Sequence, residues 1–136
     1  MKVVNTIILL MLFTSYAAFQ ALSQNPSHAQ ADPEVLIGTW KLDMTPQNSS
    51  DENWAMMRVK KVSDKGFQGT FYREGVKIRE GKLNTQTGTL YGALISGDNS
   101  GEYNSTFYYK EGKLYGSTHA VDREFLSVWT ATKESY

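Results

Sequence analysis

The sequence predicts an all-β fold, an eight-stranded antiparallel up-and-down β-barrel preceded by a signal peptide. Three observations predict it. From Ile37 onward, aromatic and β-branched residues come in short runs broken by glycine and polar clusters. No segment keeps a helical period over three turns. Most breaks are tight turn chemistry, such as "SDKG", "EG", "NTQTG" and "SGDNSG". Connections this short make sequential strands antiparallel neighbours. An open eight-stranded meander would leave two bare edges, and closure into a barrel removes them.

The chain has 136 residues, enough for one ordinary domain. Lys2 and the run "IILLMLFTSYAAF" read as a signal peptide over residues 1–23, followed by small residues. A second cleavage position follows residue 31. The polar, proline-containing stretch 24–36 reads as a linker, and 37–133 as the barrel domain. The expected destination is the periplasm or the exterior. There is no cysteine, so the domain is held by its core alone.

The strands read as Ile37–Met44, Trp54–Val62, Phe67–Arg73, Val76–Leu83, Thr89–Ser96, Glu102–Tyr109, Lys113–His119 and Glu124–Thr132. A glycine motif repeats along them. Phe67, Leu90 and Leu114 are 23 and 24 residues apart, and Gly69, Gly92 and Gly116 follow the same spacing. That interval is one hairpin. Glycine within a strand marks a bend or a close approach of backbone; a closing sheet needs such bends, and the alternative is a backbone approach to a ligand.

Turn lengths give the facing. Treating Glu74-Gly75 and Glu111-Gly112 as two-residue turns pairs Phe71 with Ile78, Gly69 with Glu80, Tyr109 with Leu114 and Phe107 with Gly116. A four-residue "AVDR" loop pairs Thr118 with Phe125, Gly116 with Ser127 and Leu114 with Trp129. Directly opposed residues share a face. The resulting interior holds Phe67, Phe71, Val76, Ile78, Leu90, Leu94, Tyr103, Phe107, Tyr109, Leu114, Phe125 and Trp129. Ser105, Thr118, Ser127 and Glu80 fall among them, and Trp40, Leu42 and Met44 join from the first strand. For the second strand two registers stay open. A four-residue "SDKG" turn points Trp54, Met56 and Arg58 inward, whereas a bulge points Met57 and Val59 inward instead.

Small residues among aromatics fit two interiors. One is hollow, with a cavity lined by Trp54, Tyr103, Phe107, Ser127 and Trp129 and polar anchors at Arg58 and Glu80. The other is filled by the aromatics. The outer face carries Tyr72, Tyr91, Ile95, Tyr108, Tyr115, Leu126 and Val128, an aromatic patch suited to a protein contact or a homodimer through Tyr91, Tyr108 and Tyr115.

"GTW" at Gly38–Trp40 and "VWTATK" at Val128–Lys133 resemble the opening and closing strands of lipocalins and the wider calycin group, in their short bacterial secreted form. The resemblance spans 37–133. It implies a barrel floor closed by Trp40, with Lys133 lying against the ring, and a small apolar or amphipathic ligand. Lipocalins ordinarily use Arg at that closing position, and their C-terminal helix has no counterpart here.

Other chemistries find little support. Lys and Arg number 14, Asp and Glu 14, and they are interleaved. That leaves no basic stripe for nucleic acid. With two histidines, His28 and His119, and no cysteine, neither a metal site nor a Ser-His-Asp set can be assembled. No cofactor and no catalytic residue is expected, and Glu80 is the only candidate for either acid or base. The carboxylates of "DNSGE" lack the spacing of a calcium loop. Asn48 and Asn104 fit the glycosylation pattern, which acts only in a eukaryotic secretory route.

Overall fold

A computed structural model describes residues 31–135; the expected signal peptide and His28 lie outside them. Eight strands, β1 (Gly38–Asp43), β2 (Trp54–Ser63), β3 (Gly66–Tyr72), β4 (Glu80–Asn84), β5 (Tyr91–Asp98), β6 (Gly101–Lys110), β7 (Lys113–Ala120) and β8 (Phe125–Lys133), follow in order. Each pairs antiparallel with the next and β8 returns to β1, closing the barrel.

The floor begins in the segment expected to be linker. Pro33–Leu36 form one 3-10 turn, capped by the Asp32 carboxylate, which accepts from the Glu34 amide at 2.9 Å. Leu36 is fully buried. Its carbonyl accepts from Trp40 Nε1 at 2.8 Å. Lys133 Nζ lies 5.5 Å from the Trp40 ring centroid and donates to the Val35 carbonyl at 2.9 Å. The contact implied for Lys133 is therefore present, and the 3-10 turn is tied to both ends of the sheet. Gly38 has φ +130, and a Cβ there would sit 2.8 Å from Lys133 Cε. Glycine in "GTW" makes room for that lysine.

The hairpins follow the expected parity with one-residue exceptions. β6 and β7 pair as the two-residue turn requires, Tyr109 with Leu114 and Phe107 with Gly116. Both turn residues, Glu111 (φ 50) and Gly112 (φ 81), are left-handed, as the common hairpin turn demands. Between β7 and β8 the register is displaced by two. Thr118 pairs with Ser127, Gly116 with Trp129 and Leu114 with Ala131. The loop runs one residue later than expected, ending on Glu124 at φ 48. The displacement is even, so facing survives while partners change. Phe125 lands at the rim and is exposed instead of interior.

Two odd shifts invert facing. At its hairpin end β2 keeps the register of the tight turn, Val62 with Phe67, and moving away from the turn it bulges between Lys61 and Val59. Beyond the bulge Ala55, Met57 and Val59 point inward, while Trp54, Met56 and Arg58 point out. β3 meets its partner as Thr70 with Lys77 at one end and Gly66 with Lys82 at the other. The residue-number sums, 147 and 148, differ by one, so a residue is absorbed between Lys77 and Lys82. Ile78 faces in, Arg79 and Glu80 both face out, and Gly81 faces in.

The mouth end is knit by a polar chain. Arg73 pairs with Asp98, Asp98 accepts from the Ser100 hydroxyl and amide, and the Ser100 hydroxyl contacts the Tyr103 hydroxyl. Tyr103 stacks on Tyr72 at 6.0 Å. The Ser100 hydrogen bonds, and then the Arg73 charge, hold the Asp98 carboxyl below its ordinary value of 3.8. A carboxyl lowered on folding stabilises the native state above the unfolded value and loses that contribution as pH falls through the folded one. The melting temperature of the wild type should therefore fall more steeply below about pH 4 than that of Asp98→Asn, a difference that thermal melts across pH 2–6 would register.

Candidate functional site

The interior is built from the inward residues of the repeat. Gly92 and Gly116 face into the barrel, and each lies under an aromatic ring. A Cβ on Gly92 would sit 2.1 Å from Phe107 Cζ, and one on Gly116 would sit 2.4 Å from Trp129. The rings occupy the space that the missing side chains leave. Phe107 also packs edge-on against Phe67 at 5.8 Å and beside Trp129 at 6.4 Å, and Trp129 packs beside Phe71 at 5.9 Å. Trp129 Nε1 donates to Thr118 Oγ1 at 3.0 Å, and Thr118 shares a hydrogen bond with Ser105 at 2.8 Å. Trp40, Leu42, Met57, Phe71, Leu90, Leu114 and Trp129 are at most 1% exposed. That half of the barrel is a packed core. Toward the mouth four inward side chains of β5 to β8 are small, Ser96, Ser105, Thr118 and Ser127, and they lie beside Tyr103. The Ser96 hydroxyl is fully buried and, among the described residues, has no hydrogen-bond partner.

Gly69 belongs to the same sequence motif and has a different cause. A Cβ there would come within 1.8 Å of the Arg58 carbonyl, because β3 crosses the β2 bulge closely at that point.

The seven residues expected to line a cavity divide accordingly. Tyr103, Phe107, Ser127 and Trp129 point inward, where the two larger rings pack on one another. Trp54, Arg58 and Glu80 are outside, inverted by the two odd shifts. Trp54 is 47% exposed with Lys41 Nζ 3.9 Å above its ring. Glu80 meets Lys82 at 3.4 Å in water, so Arg58 and Glu80 form no interior acid–base pair. Among the described residues no three His, Asp or Glu side chains converge as metal ligands.

The outer face of β4–β8 is organised in rows across the strands. Tyr91 opposes Tyr108, and Tyr108 opposes Tyr115. The three rings stand as a wall, with centroids 6.1 and 5.3 Å apart. One row along, Lys82, Ala93, Thr106, Ser117 and Val128 oppose one another in turn. The middle three are short, so they floor a trough beside the tyrosines. Its volume is about 780 Å³ and its lining is mostly apolar, with Lys82, Asn84, Thr106, Ser117 and Thr130 as polar points. A smaller extension of about 440 Å³ shares Lys82, Ala93, Thr106 and Ser117 and runs toward Ile95, Asn104 and His119. The outward tyrosines were legible in the strand parity. The floor was not, because Ala93, Thr106 and Ser117 come from three strands and form a row only once the registers are fixed.

No protein-family model matches the chain, and no curated protein matches it significantly. Two solved structures are similar in backbone, the fluorescent protein UnaG in its wild-type form and a point mutant of it. They are 14% and 13% identical over 76% of this chain and 100% and 99% of theirs, with a TM-score of 0.41 each. At that distance nothing about this chain's function follows from them.

Proposed function

We propose that this is an exported, non-catalytic binding protein that takes a small amphipathic molecule in the trough on its outer face, between the tyrosine row and the β4–β8 floor. The observation that carries this is the occupation of the barrel axis. Phe107 and Trp129 fill the space above Gly92 and Gly116, while the trough beside Tyr91, Tyr108 and Tyr115 stands open. Its volume lies in the range of small-molecule sites, and its few polar points suit a ligand with one polar end. Export rests on the apolar run behind Lys2. It predicts a mature protein whose first residue, by N-terminal sequencing, is at or near Gln24 or Asp32.

One observation favours an interior site near the mouth instead, the unpartnered Ser96 hydroxyl. The two sites respond to different substitutions. Titration with 1-anilinonaphthalene-8-sulfonate, an anionic amphiphile, should saturate. Tyr108→Ala, at the centre of the wall, should weaken it about tenfold, equivalent to about 1.4 kcal/mol. Ser96→Ala should leave it unchanged. Loss on Ser96→Ala with none on Tyr108→Ala would move the site indoors. Self-association through the same tyrosines is the competing use of this face; a concentration-dependent dimer abolished by Tyr108→Ala, without dye binding, would replace the small-ligand reading.

A further inference from the structure

The seam between β3 and β4 is the weakest join in the barrel. The strands pair at Gly66 with Lys82 and again at Thr70 with Lys77, and the ladder lapses between. A cleft of about 630 Å³ opens there on the outer surface. Both irregularities that inverted the facing lie on its walls. In a regular strand, consecutive residues point to opposite faces. The β2 bulge turns Lys60 and Lys61 outward together, and the slip before Gly81 does the same for Arg79 and Glu80. Lys77 and Lys82 complete the lining. Five cations and one carboxylate thus surround the cleft, on a chain whose formal net charge is zero.

The existing partners leave most of that charge uncommitted. Glu80 reaches Lys82 at 3.4 Å, and Arg79 meets Glu102 on β6, across β5. Both are exposed pairs of small net value. Among the described residues no carboxylate lies within ion-pair reach of Lys60, Lys61 or Lys77. Their mutual repulsion is a cost that an anion in the cleft would relieve. The cations sit on two walls, so a ligand with one charge satisfies one wall only.

We propose that the β3–β4 seam is an anion site, distinct from the tyrosine trough, that takes a small molecule carrying two or more phosphate or sulfate groups. Lys60 and Lys61 hold one group and Lys77 and Arg79 the other, as charge-assisted hydrogen bonds. Lys82 lines both the cleft and the trough, so it is left intact in the test.

Isothermal titration of the full barrel at low salt with tripolyphosphate, and separately with sucrose octasulfate, distinguishes phosphate from sulfate as the preferred group. At least one should bind. The double variant Lys60→Gln/Lys77→Gln removes one cation from each wall and should weaken it about tenfold or more. Lys110→Gln/Lys113→Gln removes the same charge from the β6–β7 hairpin and should change binding by less than about twofold. All four side chains are on the surface, so circular dichroism should be unaltered. Equal loss in the two double variants would mean diffuse electrostatic attraction and would overturn the proposal, as would absence of binding by both anions. Because the probes lack an apolar body, failure here leaves the trough untouched, and loss of dye binding on Tyr108→Ala leaves the seam untouched.

Discussion

Gly92→Ala is expected to destabilise the protein by about 3 kcal/mol, whereas the same exchange in a strand with room beside it stabilises by about 0.5–1 kcal/mol. The added methyl would overlap Phe107 Cζ at 2.1 Å, and all three of its nearest neighbours are atoms of that ring. The ring cannot swing aside, because Phe67 lies against one edge and Trp129 beside it. The collision is with one side chain, so shrinking that side chain should relieve it. Phe107→Leu alone costs a core truncation, but in its presence Gly92→Ala should cost at least about 1 kcal/mol less, a coupling that a double-mutant cycle in urea resolves. A hollow barrel behaves otherwise. There Phe107 would turn into the cavity, Gly92→Ala would cost under about 0.5 kcal/mol, and the two substitutions would add.

The second large effect lies at the floor. Trp40→Ala should cost about 3–5 kcal/mol, as for other buried tryptophans. Trp40 closes the barrel at 1% exposure, holds the Leu36 carbonyl through Nε1, meets Tyr109 edge-on at 6.4 Å and carries Lys133 over its face. Trp40→Phe separates these contributions. It keeps most of the ring and strands the Leu36 carbonyl, a loss of about 1–3 kcal/mol. Lys133→Met keeps an apolar stem over the ring and removes the charge, which is worth about 0.5–1 kcal/mol near the surface. The order Ala, then Phe, then the lysine substitution should hold in equilibrium unfolding. A Trp40→Phe variant as unstable as Trp40→Ala would place the weight of the floor on the hydrogen bond to the 3-10 turn and not on the ring.

The barrel was readable because its strong signals are local. The Glu111-Gly112 turn fixes β6 against β7 through two left-handed residues, and that pairing came out residue for residue. Alternation along β5 and β6 placed Leu90, Leu94, Tyr103 and Phe107 inside, and Tyr91 and Tyr108 outside. Single-residue shifts left no comparable mark. Lys60 looks like any lysine of a strand, yet as the bulge it reverses everything before it, carrying Trp54 and Arg58 to the surface. The slip between Ile78 and Gly81 did the same to Glu80. Every misplaced polar anchor of the expected cavity traces to one of these two shifts. They also assemble the cationic seam from residues that looked interleaved and neutral along the chain. The "GxLxG"-type repeat had a double meaning that spacing alone could not separate. Gly92 and Gly116 make room for rings, whereas Gly69 lets one strand cross another.

A hidden mouth-end site and an exposed trough differ most simply in which side chains feel the ligand. Along β6 and β7 neighbouring residues face opposite ways, with Thr106 and Ser117 flooring the trough and Ser105 and Thr118 joined inside the barrel. Titrating isotope-labelled protein with 1-anilinonaphthalene-8-sulfonate, followed by side-chain methyl, hydroxyl and aromatic-ring shifts, reads the two faces separately. Ala93, Thr106 and the rings of Tyr91, Tyr108 and Tyr115 should respond, while Ser96, Tyr103 and Thr118, which line neither the trough nor its extension, stay still. Shifts concentrated on Ser96, Tyr103 and Thr118, with Tyr91, Tyr108 and Tyr115 silent, would contradict a trough site.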